Sequence, residues 1–274
     1  MMPALTTILL LATLPYFESS VHGIGSRLAD ADPTNSLPRY VDYANGAARD
    51  HFRPNPKFWL KGVDFSCVSP WNSQAGRLRA GTAISKRHVI FAKHFPISRG
   101  TRIVFVDGEG NVCPCYIEKT KAIDHSDFMV GSLNAELTPN IRPAKILPPD
   151  YEKYIGDGKG LPTVTFDQYE RALLAELRPI STNDLIQSMG STESSTMNWC
   201  PFSRRMIVGD SGSPAFLLIG NEPIFAYTLY FGGYGTGPAI HRFRREVQAA
   251  MDELCPGYKL ETFDFEKVRC GDGK

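Results

Sequence analysis

Ser211 stands in "RRMIVGDSGSPAF", residues 204 to 216, between Asp210 and Gly212, with Gly209 before it and Pro214 after it. A serine hydroxyl is a weak nucleophile near neutral pH and needs a neighbouring base. Six histidines are available, at 22, 51, 88, 94, 125 and 241. His94 follows an apolar run in "GTAISKRHVIFAKHF", where a side chain emerges from a strand end into a cleft. Asp127 stands in "IDHSDFMVGSL". Histidine exchanges a proton near pH 7, and a buried aspartate would fix its tautomer. Gly209 can adopt a backbone angle closed to other residues, aiming its N–H, with that of Ser211, at a developing oxyanion. Together these residues spell acyl transfer: Ser211 as nucleophile, His94 as base, Asp127 as orienting carboxylate. Asp124 and Asp107 are the alternative carboxylates for orienting His94, with Asp127 then a surface residue; Asp107 fits the turn of "VDGEGN" better than a catalytic role.

The elements that would position these residues read mostly as short strands. "AGTAIS" (80–85), "HVIFA" (88–92), "RIVFV" (102–106), "VCPCYIE" (112–118), "FMVGSL", "IRPAKIL" and "LPTVTF" follow one another with turn signals between them. "RIVFV" and "VCPCYIE", joined by "DGEGN", form a hairpin. After a polar Ser/Thr-rich stretch (181–198) come "RRMIV", "SPAFLLI" and "PIFAYTLYF". The pattern is that of a β-barrel or sandwich. "DQYERALLAELRP" (167–179) is compatible with strand or helix. In "AIHRFRREVQAAMDEL" (239–254), Ile240, Phe243, Val247, Met251 and Leu254 recur at helical spacing, giving an amphipathic C-terminal helix.

Residues 4–14 are mostly apolar, too short for a membrane span and suited to a signal-peptide core, with "VHG" (21–23) at the cleavage position. This predicts a secreted or extracytoplasmic protein. Residues 24–60 are rich in Pro, Asn and Asp and read as an irregular arm or pro-segment. Six cysteines, at 67, 113, 115, 200, 255 and 270, permit three disulfide bonds, with six free thiols as the alternative. Cys255 and Cys270 could close a short loop. The net charge of +1 gives no reason to expect a nucleic acid or an anionic membrane as partner.

The three segments resemble those of the trypsin-like serine proteases. "GTAISKRHVIFAKHF" is similar to their histidine segment, "SDFMVGSL" to their aspartate strand, and "GDSGSP" to their nucleophile motif. The order His, Asp, Ser and the intervals 127 − 94 = 33 and 211 − 127 = 84 are also those of a compact member. The resemblance covers roughly residues 62–254. It implies two packed six-stranded antiparallel β-barrels (a chymotrypsin-like, all-β fold) with a C-terminal helix. The expected organisation is a signal peptide (1–23), an arm (24–60), a protease domain (61–256) and a C-terminal extension (257–274).

The implied activity is that of a secreted serine endopeptidase, a monomer acting on protein or peptide substrates, with no metal or cofactor and no nucleic-acid or membrane partner. The alternatives are a serine esterase or a non-catalytic binding protein on the same fold. The resemblance places Arg205, six residues before Ser211, at the base of the substrate pocket, with Tyr230, Phe231 and Gly232 in its wall. Arg205 could meet a substrate carboxylate, pair with a protein carboxylate, or turn outward and leave an apolar pocket. Animal members pair the aspartate at the position of Asp210 with a new amino terminus after proteolytic activation. No comparable "IVGG" start is visible, so Asp210 could instead bond locally. The cysteine that usually follows the histidine is replaced by Phe95, pointing to a divergent or bacterial-type member.

Overall fold

The computed structural model describes residues 15–41, 43, 52–70, 72–74, 77–156, 160–180, 185–189, 200–204, 206–230 and 235–269. The first sheet contains β3 (Thr82–Ala83), β4 (His88–Ala92), β5 (Arg102–Val106), β6 (Val112–Ala122) and β7 (Phe128–Leu133), in the order β3-β4-β7-β6-β5. Every residue of β4 is buried, as its unbroken apolar run requires. In β6 the alternation turns Cys113, Cys115 and Ile117 inward and Pro114, Tyr116 and Glu118 outward. The β5–β6 hairpin has the expected turn. Asp107 Oδ1 accepts the N–H groups of Glu109 and Asn111, each at 2.9 Å. A separate short hairpin pairs β1 (Asn72–Gln74) with β2 (Arg77–Arg79).

The second sheet contains β8 (Lys145–Ile146), β9 (Pro162–Phe166), β10 (Ala172–Ile180), β11 (Leu185–Met189), β12 (Pro214–Ile219), β13 (Glu222–Thr228) and β14 (Thr236–Pro238). Its order is β14-β11-β10-β9-β12-β13-β8. Only β8 pairs in parallel, with β13. An isolated antiparallel bridge from Tyr227 to Ala239 brings the β13 and β14 ends of the run together. The described strands therefore form sheets of five and seven, plus a hairpin, where two sheets of six were expected. The second sheet includes β8, which a proline at 143 and two more at 148 and 149 keep to two residues of the expected "IRPAKIL", and the first sheet has five described strands. The ambiguous "DQYERALLAELRP" resolves as the turn 167–171 followed by β10, because Leu173, Leu174 and Leu177 are needed in the core of a ladder with β9. The described residues of "RRMIV", Arg204 and Met206 to Val208, belong to none of the strands above; residues 207–210 turn instead.

The C-terminal helix is as the spacing predicts. A 3-10 turn (Ile240–Phe243) leads into the helix Arg244–Leu254, which buries Val247, Ala250, Met251 and Leu254. It packs on β6 and β7. One continuous apolar core runs through both sheets. Phe65 stands within it, with ring centroids 5.0 Å from Phe166 and 5.5 Å from Phe216.

The N-terminal part is more ordered than its composition suggests. A helix, α1 (Pro15–Leu28), buries Tyr16, Ser20 and Ile24, one turn apart from each other. The Tyr16 hydroxyl donates to Phe265 O at 2.6 Å, and Ser20 Oγ donates to Leu218 O at 2.6 Å. The expected boundary between residues 23 and 24 falls inside this helix. The arm beyond it is irregular, as predicted, but tied down: Trp59 Nε1 donates to Ala172 O at 3.2 Å, and Phe52 N to Gly110 O at 3.1 Å. Among the described residues no helix is long and apolar enough to cross a membrane.

Four cysteines, 67, 113, 115 and 255, are free thiols. The side chain of Cys200 and the whole of Cys270, with the Cys255–Cys270 pairing, lie outside what the structure describes. The Cys113 thiol is lowered to about 6, chiefly because the Cys115 thiol hydrogen-bonds to it, while burial works against this. Thr138 and the Lys86 charge contribute in the same direction as Cys115. Burial pushes Cys67 up to about 12.

Candidate active site

The register of one strand pair brings His94 to Asp127. β4 and β7 run antiparallel and end with Ala92 opposite Phe128. The chain leaving β4 therefore meets the chain entering β7, and Lys93 N donates to Asp127 O at 2.7 Å. Just before it, His125 takes a positive φ of 56° and Ser126 Oγ accepts Phe128 N, turning the chain into the strand. The Asp127 carboxylate then holds His94 twice. Oδ1 accepts the His94 backbone N–H at 2.9 Å, and Oδ2 lies 2.6 Å from Nδ1. With Nδ1–H donating to this carboxylate, Nε2 keeps its lone pair and can accept a proton. The Asp127 side chain is 17% exposed and that of His94 42% exposed, so the carboxylate is sheltered while the imidazole faces solvent. Asp124 and Asp107 take no part in this contact.

Ser211 comes from the second sheet, in the turn before β12. Asp210 N donates to Ile207 O at 3.1 Å and Ser213 N to Asp210 O at 3.1 Å. Gly212 N donates to Leu229 O at 2.8 Å, and Leu229 N to Ser213 O at 2.8 Å, tying the turn to the end of β13. Ser213 Oγ donates to Phe166 O on β9. Gly209 and Gly212 have φ of 104° and 92°, backbone angles that L side chains rarely adopt. Gly212 also lies against the first sheet. A Cβ placed on it would stand 3.3 Å from Ala80 O and 3.9 Å from Ala92 N. Ala92 is the last residue of β4, two positions before His94. The serine turn thus meets the end of the strand that carries the histidine. Among the described residues no hydrogen bond joins the half-buried Ser211 Oγ to His94 Nε2.

The same turn leaves donors without acceptors. Among the described residues the backbone N–H groups of Gly209 and Ser211 have no partner, while those of Asp210, Gly212 and Ser213 do. Unpaired N–H groups at alternate positions of a tight turn form a concavity that suits an anion.

Asp210 points away from this concavity. Its carboxylate is 2% exposed and accepts Ile207 N at 2.8 Å and Gln168 N at 3.2 Å. Gln168 Nε2 approaches the same carboxylate at 3.4 Å. Burial raises its pKa, and the two backbone N–H groups oppose the rise. Asp210 therefore bonds locally, to the turn between β9 and β10. Gln168 was not legible as a site residue, because only the fold brings position 168 to position 210.

Of the expected pocket residues, Arg205, Phe231 and Gly232 lie outside the described residues. Tyr230 is half-buried, and its N–H donates to Thr236 O at 2.8 Å. Thr228 and Leu229 are buried beside it. β14 passes so close that a Cβ on Gly237 would stand 1.9 Å from Thr228 O. Ile207 and Val208, at 52% and 101% exposure, project from the rim next to Gly209, and Tyr169 is exposed on the facing turn.

No protein-family model matches the chain, and no curated protein matches its sequence.

Proposed function

We propose that the chain is a secreted serine endopeptidase that hydrolyses peptide bonds through an acyl-enzyme on Ser211. The observation that carries the reading is the Asp127 carboxylate gripping both the backbone and Nδ1 of His94, on the strand end against which Gly212 packs. In the proposed reaction Ser211 Oγ attacks the substrate carbonyl carbon as its proton passes to His94 Nε2. The carbonyl oxygen, now anionic, is received by the N–H groups of Gly209 and Ser211. The carbon–nitrogen bond then breaks, and the leaving amine takes the proton from His94. Water, deprotonated by the same imidazole, releases the acyl group and restores Ser211. The missing bond between Ser211 and His94 must form as substrate binds, an adjustment common in substrate-free sites. Asp127 holds the tautomer and stabilises the imidazolium throughout. The reading carries with it two chymotrypsin-like barrels, and a substrate pocket based on Arg205 with Tyr230, Phe231 and Gly232 in its wall.

The test is labelling with a fluorophosphonate, read by intact mass, together with a fluorogenic peptide library. One label on the wild type and none on Ser211→Ala is expected, with cleavage after acidic or apolar residues. Strong cleavage after Lys or Arg would refute the assignment of Arg205 to the pocket. One observation favours a second reading. The unformed contact between Ser211 and His94 would suit a binding protein on this fold, which would neither label nor cleave. An esterase would label and cleave esters alone.

A further inference from the structure

Asp210 presents an unusual balance. It is a buried carboxylate beside the candidate nucleophile, and among the described residues no cation reaches it. Three N–H groups hold it, and two belong to Gln168: the backbone N–H at 3.2 Å and Nε2 at 3.4 Å. Nε2 also stands 3.5 Å from Val208 O. The same side chain lies beneath Gly209, whose Cβ, if it had one, would be 3.3 Å from Nε2. One glutamine thus touches residues 208, 209 and 210, in the turn that carries the unpaired N–H groups of Gly209 and Ser211.

Gln168 is itself immobilised. It sits at the tip of the turn between β9 and β10. Asp167 Oδ1 accepts the N–H groups of Tyr169 and Arg171, at 2.9 and 3.0 Å, and Asp167 Oδ2 accepts Arg171 Nε at 2.6 Å. The far side of the tip is fastened to the arm. Arg39 N donates to Glu170 O at 2.8 Å, the side chains of Arg39 and Glu170 pair at 3.7 Å while almost fully buried, and Pro38 bridges to Arg171. Arg39 is held in turn by Val68 O, at 3.4 Å from both terminal nitrogens. A chain of contacts therefore runs from the arm through the turn to the loop that carries Ser211.

We infer that Gln168 is the positioning residue of the oxyanion cradle and that the arm, through Arg39, is its permanent brace. The cradle is thus built in the uncut chain, with an amide donor doing what a liberated amino terminus would otherwise do for a buried carboxylate. The inference rests on the proposed hydrolase reading for its consequence in turnover, but not for its geometry. It assigns the arm around Pro38 and Arg39 a structural role, where the composition of residues 24–60 had left a removable pro-segment open.

The experiment compares Gln168→Met, which keeps length and removes the donor, with Gln168→Arg, which restores a donor to Asp210. The first readout is hydrogen exchange of residues 207–212, measured in the Ser211→Ala background so that it is independent of activity. Gln168→Met should speed exchange there by about tenfold or more while β9, β10 and β12 stay protected, and Gln168→Arg should reverse this. The second readout is turnover. Gln168→Met should lower kcat by about 10- to 100-fold with KM changed less than about threefold, and Gln168→Arg should recover most of it. The third is the mass of the fluorophosphonate-labelled chain, which should still contain residues 30–60. Unchanged exchange in Gln168→Met overturns the positioning role whatever the activity. Labelling confined to chains cut within the arm overturns the brace. If the wild type neither labels nor cleaves, the hydrolase reading falls, and the exchange data alone decide the role of Gln168.

Discussion

Mild acid should weaken this fold through two buried imidazoles. His88 is fully buried on β4, with Nδ1 2.8 Å from Ser85 Oγ and its ring 5.6 Å from that of Tyr258. Among the described residues neither ring nitrogen of His241 has a hydrogen-bond partner, and its ring packs edge-on against Tyr151 at 4.8 Å. Burial depresses both from 6.5 to about 4, aided at His241 by the charge of Arg242. The folded state therefore keeps both rings neutral at a pH where the unfolded chain has already protonated them. Stability is complete above about pH 6.5 and falls as the pH drops toward 4, where the folded state begins to bind the protons too. A proton taken up at 6.5 unfolded and about 4 folded costs ~2 kcal/mol per histidine at about pH 5, so ~4 kcal/mol for the pair at most. Asp210 works in the opposite sense: its raised pKa makes the folded state bind a proton first, which recovers part of the loss as the pH falls. The assay is urea unfolding at pH values between about 7 and 5, with proton NMR titration of the two rings. His88→Phe should remove about half of the pH dependence. An unfolding free energy constant to within ~0.5 kcal/mol over that interval would refute the reasoning, as would a folded His88 titrating with an ordinary histidine pKa.

Further outcomes can be checked with single substitutions. Asp127→Asn should leave a residual hydrolytic rate, ~10⁴-fold below wild type, because the histidine loses its enforced tautomer while remaining in place; full activity would remove Asp127 from the mechanism. Gly237→Ala should be among the most damaging small substitutions, costing ~3 kcal/mol or more in urea unfolding, since its Cβ would stand 1.9 Å from a backbone oxygen. Tyr16→Phe should cost ~1 kcal/mol through the lost bond to Phe265 O. That loss is measurable only if residue 16 survives in the mature chain, so N-terminal sequencing belongs with it: a start at residue 24 would remove the Tyr16 and Ser20 contacts altogether.

What could be read from the sequence was what is local. β4 announced itself by its apolar run, β6 and the helix ending at Leu254 by periodicity, and Asp107 by its turn chemistry, because in each case the run, the period or the dipeptide is itself the cause of the structure. The pairing of His94 with Asp127 needed one further step, the antiparallel register of β4 and β7. Gln168 lay beyond reach, since its contact with Asp210 joins turns 42 residues apart through the packing of β9 on β12. α1 was hidden for a different reason. Tyr16, Ser20 and Ile24 share a face, but three serines and two glycines in that helix dilute the apolar signal, and composition favoured a leader.

The register that joins His94 to Asp127 also has a consequence in time. Both residues border a ladder that is complete once residue 133 has been made, whereas Ser211 follows 211 − 133 = 78 residues later. At ribosomal rates of roughly 5–20 residues per second, the candidate nucleophile trails the His94–Asp127 pair by ~4–16 s. A nascent chain would hold an assembled imidazole–carboxylate pair that has nothing to activate until β9, β12 and β13 close around the serine turn. Thiol alkylation of nascent chains stalled at successive lengths would register the order, since Cys113 and Cys115 lie in the earlier sheet and should be shielded at lengths that show no fluorophosphonate reactivity. Shielding that lagged behind reactivity would exclude that order.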